Sequence, residues 1–179
     1  MQFTSNWNID PDHSSIEFKV RHLLISNISG NFTIFNGKMK TENDDFETAQ
    51  MAVSIDVYSF NTNNIERDEH IKSADFLNAD RFPEITIISK SLKNIKGDHY
   101  QLFTEMTVKD VTQEVIFDVT FGGQAKDGFG RVKAGFELSG TINRKDFNIL
   151  HDQKNEVGNL VVGEEIKIHA NIEFDKDED

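Results

Sequence analysis

Cysteine is absent from this sequence of 179 residues. Its absence excludes disulfide bonds, thiolate catalysis, thiol redox chemistry and zinc sites built on cysteine. A single domain of this length buries about two-thirds of the surface of its unfolded chain, so it needs no covalent or metal cross-link. Stability therefore has to come from an apolar core.

Basic residues are also scarce, since 19 lysines and arginines stand against 31 aspartates and glutamates, a formal net charge of −12. Such a surface repels phosphate backbones and anionic lipid headgroups, which argues against nucleic-acid binding and membrane docking. The sequence has no apolar run long enough for a membrane-spanning helix or a signal peptide. We therefore expect a soluble protein without membrane insertion, cytoplasmic as it stands and periplasmic if a leader has been removed.

Apolar and polar residues alternate along most of the chain, which is the period-two pattern of strands with one buried face. The alternation is clearest in residues 15–21, 50–57, 100–108, 115–121, 132–138 and 166–174. Glycine-containing pairs between apolar runs are typical of turns. On that basis we predict turns at Gly30, Asn36–Gly37, Gly97–Asp98, Gly122–Gly123 and Asp127–Gly130.

Residues 65–82 depart from this alternation, and their apolar residues fall at roughly helical spacing. We predict a short helix from Glu66 to Ser73 and a second turn from Phe76 to Ala79, ended by the approach to Pro83. The two together would form a helical cap over residues 66–79. Residues 1–174 would form one domain, and the acidic tail of residues 175–179 is predicted to be disordered.

About eight or nine amphipathic strands have to hide one apolar face. With so few helical residues, no layer of helices covers the sheet, so it has to close on itself or pack on another sheet. Closure also removes the exposed sheet edges that promote aggregation, so we predict an all-β fold, a single antiparallel barrel. Fifteen phenylalanines against one tryptophan and two tyrosines supply aromatic bulk with few polar groups. Periodicity does not distinguish a packed barrel from a hollow one that admits a slender ligand.

A series of segments resembles, in order, the motifs of one family. Residues 7–23 (WNIDPDHSSIEFKVRHL) carry the opening tryptophan, the Asp, the His-Ser pair and the alternating strand, and residues 59–76 (SFNTNNIERDEHIKSADF) carry the Arg-Asp-x-His segment. Further matches are residues 29–32 (SGNF), 82–83 (FP), 106–115 (MTVKDVTQEV), 142–149 (INRKDFNI) and 162–166 (VGEEI). Together these motifs resemble those of the YceI-like family over nearly the whole chain. Asp110 and Asn148 replace its usual glycines, and both residue types tolerate the left-handed conformation.

The resemblance implies a lipocalin-like β-barrel of about eight strands that binds a polyisoprenoid or related long-chain lipid in its lumen. It also implies a homodimer, no catalytic residues, and no cofactor other than such a lipid or a quinone-like ligand. Storage, transport, sequestration and a stress response all remain open as the physiological task.

The inward positions of the alternating segments, with residues from the cap and from the family motifs, form the predicted lumen lining. They are Phe18, Val20, Phe32, Met51, Val53, Ile55, Val57, Phe76, Leu102, Met106, Phe117, Val119, Phe136, Leu138, Ile168 and Ile172. The predicted candidates for a lipid headgroup site or a barrel mouth are polar: His13, Arg67, Asp68 and His70.

Two alternative functions remain open. A histidine beside carboxylates is suited to acid–base catalysis, so Arg67, Asp68 and His70 are candidates for a lipid-modifying enzyme. The structural interpretation of the same cluster is an Arg67–Asp68 ion pair that anchors the helix. The other alternative is a filled barrel that serves as an interaction scaffold.

No metal site is predicted, because His13, His22 and His70 lack the two- or four-residue spacing of a preformed chelate. The charged residues around Arg144 are predicted to pair structurally, since no glycine-rich loop accompanies them to bind phosphate.

Overall fold

The computed structural model describes residues 3–177. Over these residues the chain forms eleven strands, one α-helix and three 3₁₀ turns. The strands are β1 (Thr4–Ile9), β2 (Ser15–His22), β3 (Ser26–Phe32), β4 (Phe35–Glu42), β5 (Asp45–Asp56), β6 (Phe60–Asn61), β7 (Glu84–Lys96), β8 (His99–Val108), β9 (Val111–Lys126), β10 (Val132–Asn143) and β11 (Val162–Lys176). Helix α1 is Ile65–Lys72, and the 3₁₀ turns are Pro11–His13, Val57–Ser59 and Arg144–Phe147. Within residues 3–177, no helix is long and apolar enough to cross a membrane.

The sheet closes through the last strand. Strand β11 pairs on one side with β10 and on the other side with both β2 and β1. Strands β1 and β2 therefore share one position in the barrel, with a bend at Pro11–His13, and β3 and β4 share the next position in the same way. Strands β5 and β6 share a third position. The result is the predicted closed antiparallel barrel of eight strands.

The only tryptophan of the sequence joins the first strand to its neighbour. Trp7 is 1% exposed, and its indole Nε1–H donates to Thr41 Oγ1 on β4 at 3.1 Å. Its ring packs against Phe46 with centroids 5.5 Å apart. Because the buried indole N–H has a partner, the side chain contributes its full apolar area without an unsatisfied donor.

All six predicted alternating segments are strands, although Val57 falls in the 3₁₀ turn that follows β5. The turns at Gly97–Asp98 and Asp127–Gly130 are confirmed. The other three predicted turns are wrong, since they lie within β3, β4 and β9. Gly122 is instead the extra residue of a β-bulge: its neighbours Phe121 and Gly123 pair with consecutive residues of β10.

Glycines 30 and 37 lie where neighbouring atoms leave no room for a side chain. A Cβ on Gly30 would lie 2.6 Å from the Asn61 carbonyl oxygen and would also overlap the Phe18 ring. A Cβ on Gly37 would lie 2.6 Å from Ile9 Cδ1. Glycine is therefore required at these strand positions for close approach rather than for a turn.

The cap and the tail lie close to the predicted positions. Helix α1 is shifted by one residue, and the turn that follows covers residues 74–77 rather than 76–79. The prediction that the chain is disordered from residue 175 is wrong for residues 175–177. Asp175 and Lys176 complete β11, and Lys176 Nζ lies 2.8 Å from both carboxylate oxygens of Asp44, so its charge is paired. Residues 178–179 lie outside the described residues.

The family positions where glycine is replaced behave differently from each other. Asn148 has φ 55° and ψ 30°, the predicted left-handed conformation. In the turn between β8 and β9, the positive φ of 59° belongs to Lys109 rather than to Asp110. Both turns form with the residues present.

Replacing Gly30 by alanine should lower the free energy of unfolding by about 1–3 kcal/mol, because the added methyl overpacks the contact between β3 and β6. The matched control is Gly135→Ala on β10, where a Cβ meets nothing within 4 Å. That control should be neutral or slightly stabilising. Urea denaturation of both variants measures the difference, and equal stability of the two would contradict the packing role of Gly30.

Candidate ligand-binding site

Two cavities follow one another inside the barrel. On β8, Leu102 and Thr104 line the first and Met106 and Val108 line the second, whereas Ile168 on β11 lines both. The first, named here the inner cavity, has a volume of about 90 Å³. The second, the outer cavity, has a volume of about 130 Å³ and is bordered by residues of the cap. Each is larger than the roughly 15 Å³ that one water molecule needs.

Within residues 3–177, both cavities are lined by apolar surface alone. Three polar side chains contribute to the walls, and each uses its polar atoms elsewhere. Ser89 Oγ accepts from the Met51 N–H at 2.7 Å, and Thr104 Oγ1 donates to the Val115 carbonyl at 2.8 Å. The third is Arg144, whose guanidinium donates to backbone carbonyls. The lumen therefore offers hydrocarbon surface and no free hydrogen-bonding group.

Fourteen of the sixteen predicted lining residues line one of these cavities. The inner cavity is lined by Met51, Val53, Leu102, Phe117, Val119, Phe136, Leu138, Ile168 and Ile172. The outer cavity is lined by Phe18, Val20, Phe32, Phe76, Met106 and again Ile168. Ile55 and Val57 are each 2% exposed and line neither of these two cavities. Alternation identifies the inward face, but it does not tell where neighbouring side chains fill the space.

A surface pocket of about 390 Å³, named here the mouth pocket, lies next to the outer cavity. The two share the lining residues Phe18, Val20, Phe60, Ile71, Phe76 and Val162. The rest of the mouth pocket is largely polar, with Arg67, His70 and His151 among its walls. The interior is therefore apolar, whereas the neighbouring mouth pocket combines apolar and polar side chains.

Three phenylalanines stand between the mouth pocket and the outer cavity. The rings of Phe18 and Phe60 stack with centroids 4.9 Å apart, and Phe32 packs 5.7 Å from each. Phe18 and Phe60 line both spaces. An apolar chain that enters from the mouth pocket therefore meets aromatic surface before it reaches the lumen.

Arg67 and Asp68 both bind Thr62 in place of the ion pair that was predicted between them. Thr62 Oγ1 accepts from Arg67 Nε at 2.7 Å and donates to the Asp68 carboxylate, which also accepts from the Thr62 N–H at 3.0 Å. Arg67 also donates to the Thr62 carbonyl at 2.9 Å. Asn64 caps the helix by accepting from the Arg67 N–H. These bonds anchor α1 to the segment that follows β6.

The polar residues predicted for the mouth do not all lie there. Arg67 and His70 line the mouth pocket, whereas Asp68 is buried against Thr62. His13 lies in the 3₁₀ turn before β2, beyond the opposite end of that strand from Val20. The structure therefore brings together two of the four residues.

His13 belongs to a charged network centred on Lys133. The Lys133 ammonium lies 2.9 Å from Asp10, 2.8 Å from Glu173 and 2.7 Å from Asp175. Its hydrogen bond holds the pKa of Asp10 well below the ordinary value, and the three carboxylates raise the pKa of Lys133. The hydrogen bond from His13 Nδ1 to Asp10, 2.8 Å long, raises the pKa of His13. The network joins the turn after β1 to β10 and β11.

Arg144 is the buried cation of the barrel, at 2% exposure. It donates to the carbonyls of Ile149 at 2.7 Å and Gly163 at 3.0 Å, and to Asp152 Oδ1 at 2.7 Å. The predicted structural pairing of this segment is confirmed. Arg144 also holds the loop that carries His151. The sequence analysis did not single out His151, because no local motif contains it.

Removal of the Thr62 hydroxyl should destabilise the fold. Thr62→Val should lower the free energy of unfolding by about 1–3 kcal/mol, because it removes the hydroxyl from between Arg67 and the buried Asp68 carboxylate. The control is Thr107→Val on β8, whose hydroxyl pairs with Thr112 near the surface. Thermal and urea unfolding of the two variants give the comparison, and equal losses would refute the anchoring role of Thr62.

Lys133→Met should lower the free energy of unfolding by about 2 kcal/mol at neutral pH, since it leaves three carboxylates without their shared cation. The pKa of Asp10 is depressed in the folded state, so its contribution is present above its ordinary pKa of 3.8 and is lost as the pH falls through the depressed pKa. The gap between wild type and variant should therefore narrow below pH 3.8.

Urea midpoints measured from pH 7 to pH 3 test this dependence. Lys90→Met serves as the control, because Lys90 pairs with Glu105 on an exposed surface and its removal should leave the midpoint nearly unchanged. A gap for Lys133→Met that stays constant with pH would show that the network has no such electrostatic role.

Comparison with known proteins places the chain in a family. A model of the YceI-like domain matches residues 7–174. A UPF0312 protein of Staphylococcus aureus (strain MSSA476) is 36% identical over 171 residues, which are 95% of this chain and 97% of that protein. The YCEI protein of Campylobacter jejuni is 28% identical, with a TM-score of 0.76 over 88% of this chain and 90% of that chain.

Two more distant structures share the fold. BcnA of Burkholderia cenocepacia has a TM-score of 0.78 at 20% identity, covering 92% of this chain and 98% of its own. A polyisoprenoid-binding domain from Saccharophagus degradans has a TM-score of 0.69 at 9% identity, covering 96% and 98%. At these identities the likeness concerns the fold alone. The family match over nearly the whole chain and the staphylococcal relative show that this protein belongs to the YceI-like family.

Proposed function

We propose that this protein binds a long-chain isoprenoid or another amphiphilic lipid in the lumen of its barrel, for storage, transport or sequestration. The observation that carries the proposal is the pair of consecutive cavities with purely apolar walls beside a pocket with a polar rim. An amphiphile fits this arrangement, with its apolar tail in the cavities and its polar end at the pocket.

The cavities themselves favour an occupant. An empty apolar cavity destabilises a fold by about 24 cal/mol per Å³, which corresponds to about 2 kcal/mol for the inner cavity and about 3 kcal/mol for the outer one. A hydrocarbon that fills this space restores the missing van der Waals contacts. Such apolar cavities stay dry and accept apolar guests.

The favourable and unfavourable contributions to the binding free energy predict how the protein would select its ligand. Burying a chain of about 20 methylene equivalents gains on the order of 15 kcal/mol before costs, at about 0.8 kcal/mol per CH₂. Ordering the chain and the lost freedom of association offset most of it. Affinity should therefore follow chain length and branching more than the chemistry of the headgroup.

The polar end of the ligand would lie at the mouth pocket. Arg67 and His70 line it, and the Phe18–Phe60 stack lies on its inner side. The polyisoprenoid-binding domain from Saccharophagus degradans supports an isoprenoid as the class of tail, because it has the same fold. The homodimer, the cytoplasmic location and a role under stress stay predictions.

The geometry favours binding over the two alternatives. Arg67 and Asp68 both bind Thr62, and Asp68 is buried away from the mouth pocket, so the cluster predicted for an enzyme does not converge on a ligand. A filled scaffold barrel would leave no internal cavities. A lipid-binding lumen accounts for both observations.

Extraction of freshly purified protein with organic solvent, followed by mass spectrometry, tests the proposal. We expect a lipid near one molecule per chain, or stoichiometric uptake of a prenyl lipid after delipidation. A preparation that contains no lipid and takes up none would refute the proposed function.

Ala170→Leu should weaken lipid binding on the order of tenfold to a hundredfold. Ala170 lines the inner cavity, and the leucine side chain would occupy the volume of a few methylene groups of the ligand. Ala52→Leu adds the same atoms on the exposed face of β5 and should bind like wild type. Titration with a fluorescent prenyl lipid measures both affinities, and equal binding by the two variants would place the ligand outside the inner cavity.

A further inference from the structure

Three metal-ligating side chains meet at the mouth pocket. His70 lies in the last turn of α1, Asp75 in the turn that follows, and His151 in the loop after the last 3₁₀ turn. One donor atom from each lies within 4.8 Å of the other two. His70 Nε2 and Asp75 Oδ2 are 3.1 Å apart. The sequence separates the histidines by 81 positions, so no local chelate spacing reveals the group.

The surrounding structure holds both imidazoles in place. The ring of the buried Phe76 packs edge-on against His70 at 5.1 Å, and it packs at a tilt of 50° against His151 at 4.8 Å. The Ser73 hydroxyl donates to the His70 carbonyl at 2.7 Å and ends the helix, which lets the chain return toward His70. Such support limits how far the ligands have to move when an ion binds.

His151 is fixed through its neighbours in the loop. Arg144 binds the carbonyl of Ile149 and the carboxylate of Asp152. Ile149 precedes His151 in the sequence and Asp152 follows it. The buried guanidinium therefore holds the Ile149 backbone before His151 and the Asp152 side chain after it. A ligand held in this way loses little freedom on binding.

Two imidazoles and one carboxylate are a ligand set that zinc uses where it keeps one position open. Ligands at 2.0–2.1 Å from a tetrahedral ion lie about 3.3 Å from one another. The His70–Asp75 pair already has that spacing, and the His151 donor, within 4.8 Å of both, has to approach by at most about 1.5 Å to reach it. The acidic protein, with a net charge of −12, also favours the approach of a cation.

A second group of similar composition serves as an internal comparison. Within residues 3–177, Asp10, His13 and Glu173 also bring three donor atoms within 4.8 Å. The ammonium group of Lys133 already lies 2.9 Å from Asp10 and 2.8 Å from Glu173. A divalent ion at that site would meet the charge of Lys133, so the mouth group is the one suited to bind it.

We propose that His70, Asp75 and His151 bind a zinc ion at the mouth of the barrel, with the fourth coordination position facing the mouth pocket. The two histidines line that pocket, so the open position is reached from the same space as the lumen. An ion with one carboxylate and two neutral imidazole ligands carries a net positive charge. It would coordinate an oxygen of the lipid's polar end, a step that rests on the proposed function.

Isothermal titration of zinc chloride into the full-length protein tests the site. One ion should bind per chain, and His70→Ala, His151→Ala and Asp75→Asn should each weaken binding at least tenfold. His13→Ala is the matched control and should bind zinc as wild type does. Thermal unfolding without metal checks that the variants are folded, and zinc should raise the unfolding temperature only of wild type and the control.

The spectrum of the cobalt-substituted protein gives a second readout. An intense visible absorption, typical of tetrahedral cobalt, should form in wild type and in His13→Ala and be lost in His151→Ala. Zinc binding that is unchanged in the His70 and His151 variants, or that is lost in the control, would overturn the site.

Lipid titration with and without zinc separates this inference from the proposed function. Tighter binding of a prenyl phosphate with zinc, and unchanged binding of a prenyl hydrocarbon, would support coordination of the polar end. Equal affinity of the phosphate with and without zinc would overturn that coordination and leave lumen binding intact. Lipid binding by a protein that takes up no zinc would overturn the metal site alone.

Discussion

Closure of the sheet into a barrel underlies the cavities, the cap and the mouth of this protein. The amphipathic strands have one apolar face, and over residues 3–177 the single short helix α1 is too small to cover it. Strand β11 solves the problem by pairing with β1 and β2 on one side and with β10 on the other. Because β1 and β2, β3 and β4, and β5 and β6 each share one position, the eleven strands of residues 3–177 fill eight positions and enclose a lumen.

Satisfied polar groups keep that lumen apolar. Ser89, Thr104 and Arg144 stand in its walls, but each directs its polar atoms toward the backbone. A free hydroxyl or cation inside would hold water and raise the cost of inserting a hydrocarbon. Polar groups at the cap are satisfied in the same way, because Thr62 accepts a hydrogen bond from Arg67 and donates to the buried carboxylate of Asp68.

The mouth combines the two kinds of surface. Phe76 lines the outer cavity and also packs against His70 and His151, so one aromatic ring is shared by the lumen and the group of metal-ligating residues. The tail of a bound lipid would be recognised by burial of its apolar surface inside the barrel. Its polar end would be recognised by coordination or hydrogen bonding at the mouth pocket.

The fold class and the inward face of the strands could be predicted from the sequence, because the two-residue period and the family motifs are local properties. Residues such as Phe136 and Ile168 could be assigned in this way. Only the folded structure shows that Ile55 is buried without lining either cavity, that Gly30 serves a close contact and that Thr62 joins Arg67 to Asp68. It also decided that His151 meets His70. These facts depend on which strands and loops become neighbours when the sheet closes, and contacts between residues far apart in the chain leave no periodic signal in it.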